Sequence, residues 1–478
     1  MKELRDYQLK SVADVRNAFR NGASAPLLVS PTGSGKTVII SHICNQLNNK
    51  GRRSLVLAHR QELVTQTSAA LADNGIHHSI CAANEVIRTA TKFHLKETGR
   101  SFYRYESEIM VASIQTFVNR MADYPPFDFI LIDEGHHAVA GTWMKVLNAY
   151  PSAKLLGFTA TPERLDGKGL GKHCGGIYDA LVMGPSVQSL IDRGYLTKPR
   201  VFAPPMQLDL KGIKTVAGDY DRKELGFRME KPKIVGDVVE HYRKLCGGVP
   251  AIAFCATVEH AQKMAEAFRE AGFQSACIDG KMDDFSRRQA IDDLGKGKIN
   301  VLTSCEIVSE GTDIPRVGAA ILLRKTKSLG LYLQQVGRAL RPYPGKSETI
   351  ILDHVGNCDM HGLPEEDRVW TLDGRKSNKS GNTGGNNSSI GGPTVRSCLK
   401  CYAVYSSALS ACPICGTPAP KSRAEIEQIE GELIEYAKRT QRAEQGKARE
   451  LEDLIKIGTN RGYKNPVAWA KHVISGRR

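Results

Sequence analysis

The segment SPTGSGKT, Ser30 to Thr37, constrains the fold of this chain more than any other stretch. It follows the apolar run APLLVS and precedes the amphipathic run TVIISHICNQL, an order that predicts a buried strand, a glycine turn and a helix. In that context backbone N–H groups converge on phosphate oxygens at the positive end of the helix. The turn therefore predicts a nucleoside triphosphate site in a parallel α/β sheet. A glycine turn without a ligand is the alternative.

The polar groups of this loop have separate expected roles. Lys36 supplies a point charge for the outer phosphates, and the Thr37 hydroxyl is suited to bind Mg²⁺. We expect the nucleotide to be surrounded by Thr32, Gly33, Ser34, Gly35, Lys36 and Thr37.

A second segment, FILIDEGHH from Phe129 to His137, is an apolar strand that ends in two acids. Ligands bind at the carboxyl edge of open parallel sheets, so we expect Asp133 and Glu134 to lie beside the phosphate loop. Asp133 is placed to hold Mg²⁺ through water, while Glu134 can orient and deprotonate the attacking water. We expect His136 to couple this site to the TAT segment, and His137 to be a hydrogen-bonded structural histidine.

Composition narrows the class of protein. A chain of 478 residues exceeds one core and predicts two or three domains. The formal net charge of +15 favours a polyanionic partner, with a basic surface for solubility as the alternative. We expect nucleic acid rather than a membrane surface, since no amphipathic anchor is evident, and no apolar stretch reaches the roughly 18 residues of a membrane span. The polar start and the scattered single cysteines favour the reducing cytoplasm.

Four of the twelve cysteines form two C-x-x-C pairs, Cys398 with Cys401 and Cys412 with Cys415. Four thiolates suit tetrahedral Zn²⁺ with no open position, so the pairs predict a structural zinc ribbon. A disulfide or a redox pair is the alternative, although it leaves the twofold repeat unexplained. Lys400, Tyr402 and Tyr405 would offer a cation and stacking rings to a nucleic acid.

Short apolar strands alternate with helical patterns up to about residue 360, which predicts two parallel sheets covered by helices. A Gly/Asn/Ser-rich stretch follows, too poor in apolar residues to order itself. The predicted domains are 1–198 for the first sheet, 199–370 for the second, 371–394 for a flexible linker, 395–420 for the zinc ribbon and 421–478 for a helical basic tail.

These motifs, in this order, resemble those of superfamily two helicases of the Asp-Glu-x-His type over roughly residues 4 to 355. The resemblance implies two tandem RecA-like domains that use ATP and Mg²⁺ to move on a nucleic acid. LRDYQ resembles the segment that recognises adenine, which implies nucleotide contacts by Arg5, Tyr7 and Gln8.

Further motifs imply contacts with a nucleic-acid strand. AHRQELVTQ and ASIQTF resemble strand-contacting motifs of the first domain, and FCATVEHA and LTSCEIVSEGTDIP resemble motifs of the second. The resemblance implies strand contacts by Arg60, Gln115, Thr116, Thr257, Thr303 and Ser304, nucleotide contacts by Gly311 and Asp313, and coupling by His136, Thr159, Thr161 and Gln334.

The segment QQVGRALRP resembles the last helicase motif and supplies two arginines. Arg338 and Arg341 are three residues apart on an expected helix, so both can point one way across a cleft. As arginine fingers they would neutralise charge on the transferred phosphoryl group, an effect worth about 10³ to 10⁵ in rate. A surface helix with ion pairs is the alternative.

A two-lobed motor followed by cysteine knuckles also resembles the RadD-like family of bacterial DNA-repair ATPases. That resemblance implies DNA rather than RNA, a role in repair, recombination or replication, and partners such as a single-strand-binding protein. It further implies a bacterial or phage-encoded protein of the cytoplasm, associated with the nucleoid. The alternatives are an RNA helicase, the motor subunit of a restriction-type complex, and a binding protein with a vestigial ATPase.

Overall fold

The chain forms two compact units, Met1–Cys415 and Gly416–Arg478. The computed structural model describes residues 3–139, 141–164, 166–204, 213–216, 218–229, 232–280, 282–305, 314–374, 395–419, 448, 450–460 and 465–475. The larger unit contains two parallel sheets, which we call the first lobe and the second lobe.

The first lobe is a seven-stranded sheet in the order β3-β4-β2-β5-β6-β1-β7, with every pair of neighbours parallel. Its strands are β1 (Pro26–Val29), β2 (Ser54–Ala58), β3 (Ser79–Cys81), β4 (Ile109–Ser113), β5 (Phe129–Asp133), β6 (Lys154–Thr159) and β7 (Ala180–Met183). The central strands are buried along nearly their whole length, as expected when helices cover both faces.

Seven helices belong to the described part of the first lobe. They are α1 (Asp6–Arg20), α2 (Lys36–Asn48), α3 (Gln61–Asp73), α4 (Asn84–Thr98), α5 (Ile114–Phe117), α6 (Gly141–Ala149) and α7 (Val187–Asp192). Two separate apolar clusters, one containing Leu28 and Val56 and one containing Leu27 and Leu55, lie against the sheet. Since neighbouring residues of a strand point to opposite faces, the two clusters are the two covered faces of the sheet.

The second lobe is a six-stranded parallel sheet in the order β12-β13-β11-β14-β15-β8. Its strands are β8 (Lys198–Phe202), β11 (Ala251–Phe254), β12 (Ser275–Ile278), β13 (Val301–Ser304), β14 (Ala319–Leu322) and β15 (Glu348–Asp353). A short antiparallel hairpin, β9 (Thr215–Val216) and β10 (Asp219–Tyr220), lies outside the sheet. Its helices are α8 (Arg222–Met229), α9 (Pro232–Cys246), α10 (Val258–Glu270), α11 (Asp284–Lys296), α12 (Leu329–Ala339) and α13 (Asn357–His361).

Strand β8 lies at the edge of the second sheet, beside β15. Pro199 sits within it, and an edge strand tolerates proline because one side of its ladder needs no N–H donor. The chain therefore enters the second sheet at Lys198.

The cysteine pairs lie in a small module, residues 395–415, built on the antiparallel strands β16 (Val395–Ser397) and β17 (Val404–Ser406). The module packs on the second lobe: the Ala203 N–H donates to the Tyr402 carbonyl (2.9 Å), and Phe202 pairs with Ala403. Tyr405 is 3% exposed within the core of that lobe. The expectation that its ring is available for stacking is therefore wrong.

The first residues of the predicted linker contact the first lobe. The N–H groups of Leu170 and Gly171 both donate to the Leu372 carbonyl (2.9 Å each), and His173 Nε2 lies 2.6 Å from Asp373 Oδ1. Of the predicted linker, 371–374 is thus bonded to folded structure, while 375–394 lies outside the described residues.

The smaller unit contains two described helices, Leu451–Asn460 and Pro466–Ser475. They pack through a small apolar cluster around Leu454, Trp469 and Ala470. Across the described residues of the chain, no helix is long and apolar enough to span a bilayer. The predicted fold class, an α/β protein with two parallel-sheet lobes, a cysteine module and terminal helices, is confirmed.

Candidate nucleotide site between two lobes

The phosphate loop connects β1 to α2, as its sequence predicts. Gly33 (φ +87°) and Gly35 (φ +82°) have left-handed backbone conformations that favour glycine. The Ser30 hydroxyl donates to Ser34 Oγ (2.7 Å), and Lys36 Nζ donates to the Ser30 carbonyl (3.2 Å). The loop is therefore folded around its own polar groups, with the Lys36 ammonium inside the turn.

The amino-terminal helix fixes this loop from one side. The Tyr7 hydroxyl (2.9 Å) and Gln8 Nε2 (3.1 Å) both donate to the Ser34 carbonyl. A Cβ at Gly35 would lie 2.5 Å from Gln8 Nε2, so a larger residue would displace the end of the Gln8 side chain. Two of the three residues predicted to recognise adenine thus hold the phosphate loop directly.

The third of these residues, Arg5, stacks on a ring that sequence analysis missed. Its guanidinium carbon lies 4.3 Å from the centre of the Tyr195 ring, and Arg5 Nη1 donates to the Tyr7 hydroxyl (3.1 Å). The Tyr7 and Tyr195 rings are 5.2 Å apart. Tyr195 follows α7 and is far from the motif in sequence, so no local pattern indicated it.

The two acids lie at the carboxyl end of β5, as predicted. Asp133 and Glu134 are both buried, and the Glu134 N–H donates to Asp133 Oδ1 (3.0 Å). Glu134 has φ +51°, which is uncommon for a residue with a side chain and costs roughly 1–3 kcal/mol. The fold thus maintains a strained backbone at the residue expected to activate water.

Three of the four predicted coupling residues, His136, Thr159 and Thr161, form one hydrogen-bonded group. The Thr159 hydroxyl donates to the Thr161 carbonyl (2.9 Å) and accepts from the Thr161 N–H (3.1 Å). His136 Nδ1 lies 2.9 Å from Thr159 Oγ1 and 3.5 Å from Glu134 Oε2. Because the only proton of the Thr159 hydroxyl goes to Thr161, His136 Nδ1 must be the donor.

Helix α12 of the second lobe packs directly on this site. A Cβ at Gly337 would lie 2.7 Å from Thr32 Cβ, and a Cβ at Gly330 would lie 2.7 Å from Thr161 Oγ1. These two glycines are seven residues apart, on one face of the helix. The second lobe therefore touches both the phosphate loop and the coupling motif.

The expectation that Arg338 and Arg341 share one helix is wrong for Arg341. Helix α12 ends at Ala339, since Arg341 precedes Pro342 and the residue before a proline disfavours helical backbone. Arg341 still borders the site, because its Cγ lies 3.8 Å from the position of a Cβ at Gly33.

Lys346 supports this arginine segment, which the sequence did not indicate. Its ammonium donates to the carbonyls of Val317 and Arg341 (2.6 Å each) and to that of Ala339. Burial, with a smaller contribution from the Arg341 charge, lowers the pKa of Lys346 to about 7. Lys346 therefore connects the end of α12 to Val317, in the loop before β14.

The predicted strand contacts of the first lobe lie together around His59. Arg60 Nε donates to His59 Nε2 (3.3 Å), and the Gln115 amide donates to the His59 carbonyl (2.9 Å). Gln115 is exposed and Thr116 half-buried, at the start of α5. These side chains thus occupy one surface of the first lobe.

The predicted strand contacts of the second lobe are less accessible. Thr303 and Ser304 are fully buried in β13, a strand covered on both faces, and the Thr303 hydroxyl donates to the Ala261 carbonyl (2.7 Å). The expectation that these two side chains contact a strand is not supported. Thr257 accepts from the His260 N–H (3.1 Å) and lies against Gly226 of α8.

Two further predicted residues belong to the segment LTSCEIVSEGTDIP of the second lobe, and one belongs to α12. Gly311 and Asp313 lie outside the described residues. Gln334 is 4% exposed, on the buried side of α12. Its side chain therefore faces the protein core from the helix that also carries Arg338.

The four predicted metal ligands lie together. The four sulfur atoms of Cys398, Cys401, Cys412 and Cys415 are all within 4.8 Å of one another. Two of these separations are 3.5 Å (Cys398–Cys415) and 3.6 Å (Cys401–Cys412). A tetrahedral zinc with bonds of about 2.3 Å requires sulfur separations of about 3.8 Å. The cluster is therefore compatible with one zinc ion.

Comparisons with known proteins place this chain in a family. The profile of the type III restriction enzyme res subunit matches residues 1–164, and that of the helicase conserved C-terminal domain matches residues 233–343. A 51.5 kDa protein of a Lactococcus phage is 31% identical over 418 residues, which cover 85% of this chain and 83% of that protein. The chain belongs to the superfamily 2 helicases. It is therefore an ATP-dependent enzyme with the two domains of a nucleic-acid motor.

Other similar proteins are longer than this chain. IRC3 of Saccharomyces cerevisiae, named as an ATP-dependent helicase, is 28% identical over 371 residues, which cover 74% of this chain and 51% of that protein. The DNA-bound structure of the type ISP restriction-modification enzyme LlaBIII is similar with a TM-score of 0.52 and 19% identity. That match covers 74% of this chain and 28% of LlaBIII, and it supports the fold alone.

Proposed function

We propose that this superfamily 2 helicase is a translocase that hydrolyses ATP on DNA, with both lobes contributing to one nucleotide site. The observation that carries the proposal is the contact of α12 with the phosphate loop and with Thr161. A helix of one lobe lies against the nucleotide-binding loop of the other, so hydrolysis depends on how the lobes are arranged.

The proposed chemistry uses the residues at the ends of β1 and β5. Lys36 binds the outer phosphates, and Glu134 orients the attacking water and accepts its proton. Thr37, at the start of α2, and Asp133 fit Mg²⁺, because hydroxyl and carboxylate oxygens are the ligands it prefers. When bound, Mg²⁺ would neutralise charge on the phosphates.

The second lobe supplies the cationic groups. Arg338 and Arg341 neutralise the charge that develops on the transferred phosphoryl group, and Lys346 fixes the carbonyl of Arg341. Arg5, Tyr7, Gln8 and Tyr195 surround the base, which favours ATP over other triphosphates. In the second lobe Gly311 and Asp313 complete the nucleotide contacts.

Movement follows from the opening and closing of the two lobes. Arg60, Gln115 and Thr116 hold the strand on the first lobe, and the region of Thr257 holds it on the second. Contacts of this kind with the phosphate backbone position the strand without reading its sequence. Each cycle of ATP binding and hydrolysis moves one of these contacts past the other along the strand.

We propose DNA rather than RNA, and repair, recombination or replication intermediates as the substrate. The supports are the RadD-like arrangement of two lobes followed by cysteine pairs, the phage relative and the net charge of +15. The corresponding partners are repair or replication proteins such as a single-strand-binding protein, in the cytoplasm of a bacterium. The cysteine module would hold one structural Zn²⁺.

The match of residues 1–164 to the type III restriction res subunit supports a second candidate, the motor of a restriction-type complex. Such a motor would depend on a separate subunit for cutting. Co-purification of a nuclease with the native protein would favour this candidate over an independent translocase.

The test is the rate of ATP hydrolysis with single-stranded, duplex and forked DNA and with matched RNA, together with a strand-displacement readout. The proposal predicts stimulation by single-stranded or forked DNA that RNA does not match. Equal rates with and without any polynucleotide would contradict it. If DNA stimulates hydrolysis, the strand-displacement readout distinguishes an enzyme that unwinds duplexes from one that only translocates.

A further inference from the structure

Three histidines from two motifs form a row beside the nucleotide site. The ring centres of His59 and His137 are 4.6 Å apart, and those of His137 and His136 are 4.1 Å apart. The rings are tilted by 49° and 41°, so each lies in contact with the next. His137 is exposed, unlike the structural histidine that its sequence position suggests.

One end of the row contacts the expected strand-binding side chains. His59 Nε2 accepts from Arg60 Nε, and the His59 carbonyl accepts from the Gln115 amide. The Ser113 hydroxyl in turn donates to Gln115 Oε1 (2.7 Å). Two of the three side chains expected to hold a strand on the first lobe are therefore bonded to His59.

The other end contacts the residues of ATP hydrolysis. His136 Nδ1 lies 3.5 Å from Glu134 Oε2 and 2.9 Å from Thr159 Oγ1. His136 and His137 share one short 3-10 turn, Gly135–His137, which begins directly after the strained backbone of Glu134. A displacement of the His137 ring therefore acts on a turn joined to Glu134 without an intervening flexible segment.

We propose that His137 is a positioning residue that connects the strand-binding residues of the first lobe to Glu134 through the rings of His59 and His136. The inference rests on the proposed function, because it presupposes that a strand stimulates hydrolysis. A strand phosphate that attracts Arg60 weakens its bond to His59 Nε2. The His59 ring then shifts against His137, and the turn carries that shift to Glu134 and Thr159.

The experiment compares His137→Ala with wild type in three measurements on the full chain: ATP hydrolysis without a strand, hydrolysis with saturating single-stranded DNA, and affinity for that DNA. Couplings between sites are typically worth a factor of about 5 to 150. We expect the ratio of stimulated to unstimulated rate to fall about tenfold, with the dissociation constant of the DNA changed by less than about twofold.

Two further variants separate the connection from a loss of packing. His137→Phe keeps an aromatic ring between His59 and His136, and we expect it to restore most of the stimulation. His77→Ala is the matched control, since His77 is a half-buried histidine of the same lobe whose ring contacts Phe102 (5.1 Å) away from the row. It should leave the ratio unchanged.

Full stimulation of His137→Ala would overturn the inference, and so would a parallel loss of stimulated and unstimulated rates. A selective loss of DNA affinity would also overturn it, because His137 would then act in binding alone. These results are distinguishable from failure of the proposed function, in which wild type itself is not stimulated by any strand.

Discussion

At the scale of single residues, the nucleotide site contains two glycines at positions where a side chain would meet a neighbouring residue. Gly35 combines a left-handed backbone with a close approach to Gln8, and Gly337 leaves space for Thr32. A methyl group at either position would meet an atom at less than 3.0 Å. The phosphate loop is therefore fixed by contacts with α1 and α12 as well as by its own sequence.

Gly35→Ala should lower ATP turnover, because its Cβ would displace the end of the Gln8 side chain from the loop. Gly22→Ala is the control: Gly22 has a similar φ of +95°, but no atom lies within 4 Å of its Cβ position. Both variants carry a backbone strain of about 1–2 kcal/mol. Thermal unfolding should show similar losses of stability in the two variants. Steady-state hydrolysis should show a loss of turnover for Gly35→Ala alone. Equal turnover in the two variants would contradict this account.

Residues next to each other in a motif could be predicted from the sequence, and residues brought there by the fold could not. The roles expected for Lys36, Thr37 and Asp133 follow from local strand-turn-helix patterns, and the structure brings these residues to one edge of the sheet. Tyr195 and Lys346 join the site across long sequence distances, through a stacking contact and a set of carbonyl bonds. Local patterns carry no signal for such contacts.

At the scale of secondary-structure elements, most strands of both sheets followed from their apolar runs. The exceptions have physical causes: β3 has only three residues, β7 is only partly buried at the edge of its sheet, and β8 contains a proline that the ladder accepts only at its edge. The end of α12 was also missed, since Pro342 acts on the residue before it. The burial of β13 explains why Thr303 cannot serve as predicted.

Three buried polar side chains contact one another where α3, α4 and the start of β3 pack together. Ser68 Oγ lies 2.7 Å from His78 Nε2 and 3.0 Å from His94 Nε2. Burial, opposed by the Ile76 carbonyl and assisted by His94 and His77, lowers the pKa of His78 to about 4. The unfolded chain binds a proton near pH 6.5, whereas the folded chain does not.

Stability from His78 is therefore complete above about pH 6.5 and is lost as the pH falls towards 4, by about 2 kcal/mol between pH 7.5 and pH 5. His78→Gln should remove that part of the pH dependence. Urea unfolding of wild type and His78→Gln at the two pH values measures this difference in stability. Exchange of the amide hydrogens of β3 at the same pH values is a second measurement. An identical loss in wild type and His78→Gln would show that His78 does not contribute.

The cysteine module is a second element whose position was not predicted. The sequence suggested a ribbon on a tether, but Cys398 and Cys412 lie in the core of the second lobe. Cys412→Ser should release the metal and lower the unfolding temperature of that lobe, while unstimulated hydrolysis persists. Metal content per chain and thermal unfolding measure this, with Cys174→Ser, a cysteine of the first lobe, as control. Unchanged metal content would refute the zinc assignment.

At the scale of the whole molecule, one face of α12 forms a contact between the two lobes. Gly330 and Gly337 allow that face to approach Thr161 and Thr32 more closely than any larger residue would. The sequence predicted that both lobes serve one nucleotide, since the motifs are divided between them. It could not predict this helix face, because the contact joins segments that are far apart in the sequence.

Gly337→Ala should hinder closure of the lobes, because overpacking of this kind costs roughly 1–3 kcal/mol. We expect stimulated ATP turnover to fall about tenfold, while binding of single-stranded DNA is retained. Gly295→Ala is the control, since Gly295 is also helical but the nearest atom to its Cβ position is 3.7 Å away. Wild-type rates of ATP turnover in both alanine variants would contradict this role of Gly337 in lobe closure.

The most direct test of a nucleotide site shared by two lobes is the single-turnover rate of ATP hydrolysis with saturating single-stranded DNA, after replacement of both arginines. The variant Arg338→Ala/Arg341→Ala should bind ATP normally and hydrolyse it about 10³-fold more slowly or worse. Arg269→Ala, an exposed arginine of the second lobe, should hydrolyse normally. If the double variant hydrolyses ATP at the wild-type rate, the second lobe contributes no charge to the reaction and the shared site is refuted.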